Sequence, residues 1–261
     1  MIPGVNGHRV LLENRKEDAY ASRIGPGRGI NKLRLITLFL SVMLSLAVSA
    51  ACPPEFSGAG DGTYYDTSAG IYACSLPRGD DLIAAINDPQ WAGSQHCGEC
   101  LHVIGPKGAV TVRVVDRCPE CLSGDLDLSE TAFDLIADRA DGRVDISWDR
   151  VACPVSGPVA FEFEGSNPFY LKVQVQNHRY GITSMSYLDG DGYVTMDRSP
   201  DNHFIGMGVP NITDVQVRIT ATTSETLEAS LGNPNNNDVL INGPRQLSVC
   251  SSDIFSDNFE Q

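Results

Sequence analysis

Basic residues are scarce in this chain. Nineteen Lys and Arg stand against 33 Asp and Glu, giving a formal charge of −14 and a pI near 4.6. A surface that holds nucleic acid needs clustered Lys and Arg, so nucleic acid is excluded as a partner. The same deficit denies the protein any long-range attraction to polyanions such as pectin, whereas a neutral polysaccharide is compatible. Histidine is also sparse: His8, His96, His102, His178 and His203 show no metal-ligand spacing. There is no glycine-rich phosphate loop and no Ser/His/Asp signature, and no metal or organic cofactor is implied.

Long apolar runs are confined to residues 33–51, an apolar stretch after Lys32 and Arg34 that ends in Ser49-Ala50-Ala51. This has the layout of an export signal peptide; a membrane anchor is the alternative, but the run is short for one. Residues 1–51 are therefore set aside as N-terminal extension and signal peptide, and the mature protein is expected outside the cell. The small residues before Cys52 partly resemble a lipobox, which leaves lipid anchoring at Cys52 as an alternative to a disulfide. The eight cysteines fit an oxidising compartment. Two Cys-x-x-Cys units, Cys97–Cys100 and Cys118–Cys121, also have zinc-site spacing, so bridges and zinc are the two readings.

Past Cys52, short β-branched or alternating runs dominate: Gly62–Tyr65, His102–Ile104, Val110–Val115 and Asp145–Trp148, with Gly105–Gly108 as a hairpin turn. Asp80–Asn87 and Glu130–Arg139 read as the helices. Strands with few helices suggest a closed barrel over 52–155. After Pro154–Pro158 the helical signals stop. Runs at Val159–Phe163, Tyr170–Gln176, Ile182–Leu188, Val194–Met196, Val215–Thr220 and Leu227–Leu231 predict a β-sandwich over 156–250, with 251–261 as a tail. Asp189–Gly192 is a hairpin turn whose glycines supply positive φ.

Two carboxylates stand out, Asp116 and Asp127, at either side of a loop containing Cys118 and Cys121 and each next to an apolar run. Carboxylates on strand ends beside a groove suit gripping or protonating sugar oxygens. The bland alternative for Asp127 is a helix cap near Ser129-x-x-Ala132.

The strings Gly62–Tyr65, Ala85–Asn87, Gly105–Gly108, Asp116–Glu120, Leu126–Phe133, Trp148, Val173–Tyr180 and Asn202–Phe204 together resemble those of expansins, closest to the microbial expansin-like proteins. The resemblance implies an all-β protein: a six-stranded double-psi β-barrel followed by an immunoglobulin-like carbohydrate-binding β-sandwich. It also implies a monomer that loosens cell-wall polysaccharide (cellulose, β-glucan, with xyloglucan and peptidoglycan as further polymers) without net hydrolysis. Asp127 matches the general acid of the related family-45 endoglucanases and Asp116 the other groove aspartate. Thr63 and Glu120 match further polar groove residues, and Tyr65 is placed with them as substrate-binding. The family often carries an aromatic where this chain has Cys118. Asp66 stands where related endoglucanases hold their base, or is a turn aspartate.

In the second domain Phe169 and Tyr170 match two members of an aromatic platform, usually tryptophans, while the third position aligns with Asp201, which cannot stack. Tyr193 is a possible replacement. Alignment with the family implies bridges Cys74–Cys97, Cys100–Cys153 and Cys118–Cys121, with Cys52–Cys250 as a terminal pair. A weakly active endoglucanase and a wall-binding module without loosening action remain rival functions.

Overall fold

The computed structural model describes residues 52–250, apart from 69, 71, 78 and 80. The signal-peptide reading and the tail lie outside the described residues. Six strands, β1 (Ser57–Tyr65), β2 (Ile83–Asn87), β3 (Cys100–Gly105), β4 (Gly108–Cys118), β5 (Leu126–Ser129) and β6 (Val144–Val151), close into a barrel in the order β1-β5-β2-β4-β3-β6. Two of its pairs, β1 with β5 and β2 with β4, are parallel and the rest antiparallel.

Alternation along the strands sends Leu101, Val103, Val112, Val114, Leu126 and Leu128 into the core with Trp148. The short helix α1 (Asp88–Trp91) follows β2 directly, and Phe133 and Ile136 of α2 (Glu130–Ile136) cover the barrel core.

The helix expected over Asp80–Asn87 is not formed; Ile83–Asn87 is strand β2. Its alanines favour a helix in isolation. Here the segment is buried along its whole length between β4 and β5, where only a strand can pair on both sides. The second helix stops at Ile136 rather than Arg139. Ala137 turns extended while its N–H still reaches the Phe133 carbonyl at 2.9 Å, and a 3-10 turn at Arg139–Asp141 follows.

The remaining strands form two facing sheets. One is ordered β10-β9-β13-β14, from β9 (Ile182–Asp189), β10 (Gly192–Thr195), β13 (Val215–Ala221) and β14 (Thr226–Gly232). The other is ordered β11-β12-β8-β7-β15, from β7 (Ala160–Phe163), β8 (Leu171–Gln176), β11 (Asp197–Arg198), β12 (Phe204–Gly206) and β15 (Ile241–Asn242). Phe161, Phe163, Val173, Met185, Val217 and Ile219 fill the space between them. The expected hairpin turns at Gly105–Gly108 and Asp189–Gly192 are both present.

Barrel and sandwich meet through buried polar groups. Gln174 Nε2 on β8 donates to the carbonyls of Cys74 and Ser75 at 3.1 and 3.2 Å, and Ser94 Oγ donates to the Ser199 carbonyl at 2.8 Å. Arg198, its guanidinium 4.4 Å from the Phe204 ring centre, donates to the carbonyls of Ser94 and Ile182 and to Asn202 Oδ1. Burial pushes its pKa down to about 10, so it stays charged at neutral pH. Glu99, fully buried beside Gly181 of the sandwich, accepts from Arg150 Nη1 at 3.1 Å and pairs with His96 at 2.8 Å.

Four disulfides join Cys52–Cys250, Cys74–Cys97, Cys100–Cys153 and Cys118–Cys121. Every cysteine is paired, so the zinc reading falls, and the Cys52 sulfur has no place for a lipid thioether.

Removing one partner of a buried ion pair leaves the other charge uncompensated. Glu99→Ala is expected to lower unfolding free energy by about 3–5 kcal/mol, read from urea denaturation; a loss no larger than that of an exposed glutamate would show that Arg150 is otherwise satisfied.

Candidate functional site

The groove is built on a single cross-strand row. Parallel pairing sets Thr63 of β1 beside Asp127 of β5, and Asp127 lies opposite Ala85 of β2. Ala85 in turn pairs with Asp116 of β4. Residues in one row share a face, here the outer one, since the neighbours Ala84, Ile86, Leu126 and Leu128 point into the core.

Asp116 reaches this row only because β4 carries a bulge: the register jumps from Ala84↔Val114 to Ala85↔Asp116, skipping Val115. The bulge frees backbone groups, and the preceding loop satisfies them. Cys74 N–H donates to the Val115 carbonyl at 3.0 Å, and Ala73 N–H donates to Asp116 Oδ1 at 2.8 Å. Arg117 N–H donates to the same Oδ1 at 2.9 Å. One oxygen of Asp116 is thus held by main-chain amides.

Asp127 is half-buried. Thr63 Oγ1–H donates to its Oδ1 at 2.5 Å. Burial holds its pKa above the ordinary carboxylate range; the Thr63 bond and Arg143 pull it down, while the charges of Glu120 and Asp116 add to the rise. Tyr65, two residues beyond Thr63, has a buried hydroxyl with no hydrogen-bond partner among the described residues. Burial, then the charges of Asp116, Tyr72 and Asp127, push its pKa up, so it remains a phenol with a donor to give.

A cavity of about 380 Å³ lies over this row, with Thr63, Asp127, Glu120, Leu122, Asp61 and Arg143 among its walls. Asp116, at the far end of the row beyond Ala85, and Tyr65 are not among its lining residues.

The 118–125 loop forms one wall. The Cys118–Cys121 disulfide closes it at one end. At the other, Asp125 accepts from the Asp61 and Leu122 amides at 2.8 and 2.9 Å. Asn87 Nδ2 donates to the Asp125 carbonyl and Trp148 Nε1 to the Gly124 carbonyl. Gly124 is required here: its φ is +94° and a Cβ would lie 2.1 Å from the Ala59 carbonyl oxygen.

Asp61, Arg143 and Asp125 were not singled out from sequence. Asp61 shares the face of Thr63 by strand alternation. Arg143 joins it through a 2.6 Å ion pair that only the β1–β6 pairing brings about. Asp66 is a turn aspartate: Ser68 N–H and Oγ–H donate to its two oxygens at 2.8 and 3.0 Å, and it does not line the groove.

On the sandwich, Asn167–Tyr170 is a tight turn closed by reciprocal backbone bonds of 2.9 and 3.1 Å, and Asn167 Oδ1 accepts from Phe169 N–H. Adjacent residues in a turn need not face apart as they do in a strand. Phe169 is 61% exposed and Tyr170 half-buried. Asp201 is tied to Lys172 at 3.0 Å. Tyr193 lies on the other sheet, under the Arg218 guanidinium at 3.8 Å, and so does not replace a platform member.

A closed six-stranded barrel bearing an outer-face Thr/Asp groove is joined to a two-sheet sandwich. The family model for lytic transglycolases matches residues 83–148. Expansin-YoaJ of Bacillus subtilis is 31% identical over 207 residues, covering 75% of this chain and 88% of its own. Expansin-like protein 2 of Dictyostelium discoideum is 34% identical over 46% of this chain and 31% of its own. The crystal structure of a Clavibacter michiganensis expansin point mutant in complex with cellohexaose superposes with TM-score 0.69 at 26% identity, covering 73% of this chain and 98% of that one. The chain belongs to the expansin family.

The sign of the Asp127 shift has a consequence for stability. A carboxyl whose folded pKa lies above its unfolded value favours the fold most below the ordinary range, near ~3.9, and that contribution is lost as pH rises through the raised value. Asp127→Asn, which keeps an acceptor for Thr63 but cannot ionise, is expected to melt higher than wild type at neutral pH. The two should converge below about pH 4; equal melting temperatures across the range would mean that Asp127 is solvated like a surface residue.

Proposed function

We propose that this protein is exported, docks on cell-wall polysaccharide through its sandwich, and loosens non-covalent glucan–glucan contacts through the barrel groove without cutting the chain. The observation that carries this reading is Asp127, half-buried in an open groove and hydrogen-bonded to Thr63, with burial raising its pKa. A carboxyl accepts from sugar hydroxyls and, when protonated, also donates to them, so Asp127 acts as the gripping and proton-donating residue. Thr63 and Glu120 supply further polar contacts in the groove, and Asp116 stands at the end of the same cross-strand row. The paired cysteines suit an oxidising exterior.

Inverting hydrolysis needs a second carboxylate placed across the bond to activate water. In this groove Asp125 is occupied by two backbone amides and Asp61 by Arg143. Asp66 serves its own turn. Glu120 remains, on the disulfide-clipped loop, and an endoglucanase reading would have to rest on it. The relative crystallised with cellohexaose supports a β-glucan as the ligand class, and the acidic groove favours a neutral chain over an acidic one.

Two measurements test this. In extension assays on cellulose paper or plant-wall strips, wild type is expected to produce creep with no reducing sugar above buffer, and Asp127→Ala to lose the creep. Sugar release by wild type would replace loosening with hydrolysis, and an unimpaired Asp127→Ala would remove the mechanism. In pull-downs on microcrystalline cellulose, Phe169→Ala should lower retention by about 1–3 kcal/mol of apolar contact, roughly five- to 150-fold in affinity; unchanged retention in both Phe169→Ala and Tyr170→Ala would discard the sandwich surface as the docking face.

A further inference from the structure

A second depression, of about 770 Å³, adjoins the groove and shares Asp61 and Arg143 with it. Its remaining walls come from the start of β6 and the β3–β4 turn, including Asp145, Ser147, Ile104 and Pro106. The faces agree. Asp61 is two residues from Thr63 on β1 and pairs with Asp145; Ser147, two further along β6, pairs with Ile104 of β3. The outer surface therefore runs without interruption from β5 across β1 and β6 to β3.

We infer that this depression is a second polysaccharide subsite, occupied by a further stretch of the same neutral β-glucan chain that lies over Asp127, with the Asp61–Arg143 pair as a shared station between the two. The inference rests on the groove reading above.

Three features support it. Ile104 is 48% exposed, unusual for an isoleucine on a barrel strand, and stands with Pro106 beside the polar atoms of Asp145 and Ser147. An apolar wall facing a few fixed polar groups suits a sugar ring, which has apolar faces and a polar rim. Asp61 and Asp145 are direct cross-strand neighbours, an arrangement that costs stability for like charges; as acceptors for sugar hydroxyls they have a use. The Asp61–Arg143 bridge is exposed, so it contributes little to folding and its groups exchange partners with sugar hydroxyls at small cost. Apart from Arg143, no Lys or Arg lines either depression, so an acidic polymer finds no counter-charge.

The test compares cellotriose with cellohexaose by calorimetry and by amide chemical-shift mapping on the full protein. One or two added hydrogen bonds of about 1 kcal/mol each correspond to roughly five- to thirtyfold tighter binding. Cellohexaose is expected to bind tighter by that factor and to shift the amides of Asp145 and Ser147, which cellotriose leaves in place. Ile104→Asp, which removes its apolar wall, should abolish the advantage of the longer sugar while leaving cellotriose affinity unchanged. Equal affinities for the two sugars, with shifts confined to Thr63 and Asp127, would overturn the second subsite and leave the groove standing. Shifts at neither set of residues would remove both.

Discussion

The parallel pairing of β1 with β5 is the constraint from which the rest of the groove follows. It closes the barrel, and its register sets Thr63 against Asp127. Were the register displaced by one residue, Thr63 would face Leu126 or Leu128 and Asp127 would point into the core, because side chains alternate with a period of two. An ionisable group in that core would be severely penalised. Core packing and groove chemistry are thus enforced by one register. Leu126 and Leu128 seal the barrel from inside, and the residue between them is left outside with a threonine hydroxyl for company.

A second constraint keeps barrel and sandwich together. Glu99, Arg150 and Arg198 are charged groups withdrawn from water where the two sheet systems meet. A hydrophobic contact of the same area would be at least as stabilising. Directional groups restrict how the parts sit: Arg198 must reach the carbonyls of both Ser94 and Ile182, and Gln174 those of Cys74 and Ser75. The same loop that accepts from Gln174 also donates from Ala73 to Asp116. The junction and the groove row are therefore joined through a few residues of covalent chain.

Legibility from sequence tracked the range of the interaction. The all-β class, the two hairpin turns and most sandwich strands are written in local alternation and in Gly-containing turns, and appear where expected. Strand β2 was misread because Ile83-Ala84-Ala85-Ile86 favours a helix locally, and its burial between two distant strands is invisible in a short window. Asp116 and Asp127 stand out in the sequence by their placement next to apolar runs, whereas Thr63 and Glu120 are marked only by the family resemblance. That Asp116 joins the row through a bulge, with one oxygen consumed by Ala73 and Arg117, depends on β2–β4 pairing. Arg143 escaped notice altogether, since nothing near it in the chain marks it. Tyr193 illustrates the opposite error: proximity to a hairpin suggested a platform role, but sheet order puts it on the other side of the sandwich.

A groove that grips without cutting is physically coherent in this setting. Cutting a glycosidic bond needs an acid and a base fixed in relation to each other, and electrostatic groups that cost no reorganisation at the moment of reaction. Here Asp125 and one oxygen of Asp116 are held by main-chain amides and Asp61 faces Arg143, which leaves Glu120 as the carboxylate on which a hydrolytic reading would rest. Around the site stand Asp127 beside the Thr63 hydroxyl and an exposed Asp61–Arg143 pair able to change partners. A glucan chain lifted from its neighbours loses hydrogen bonds of about 1 kcal/mol each net, and a groove offering comparable bonds makes that transfer nearly isoenergetic. On the proposed reading, displacement is an exchange of non-covalent contacts.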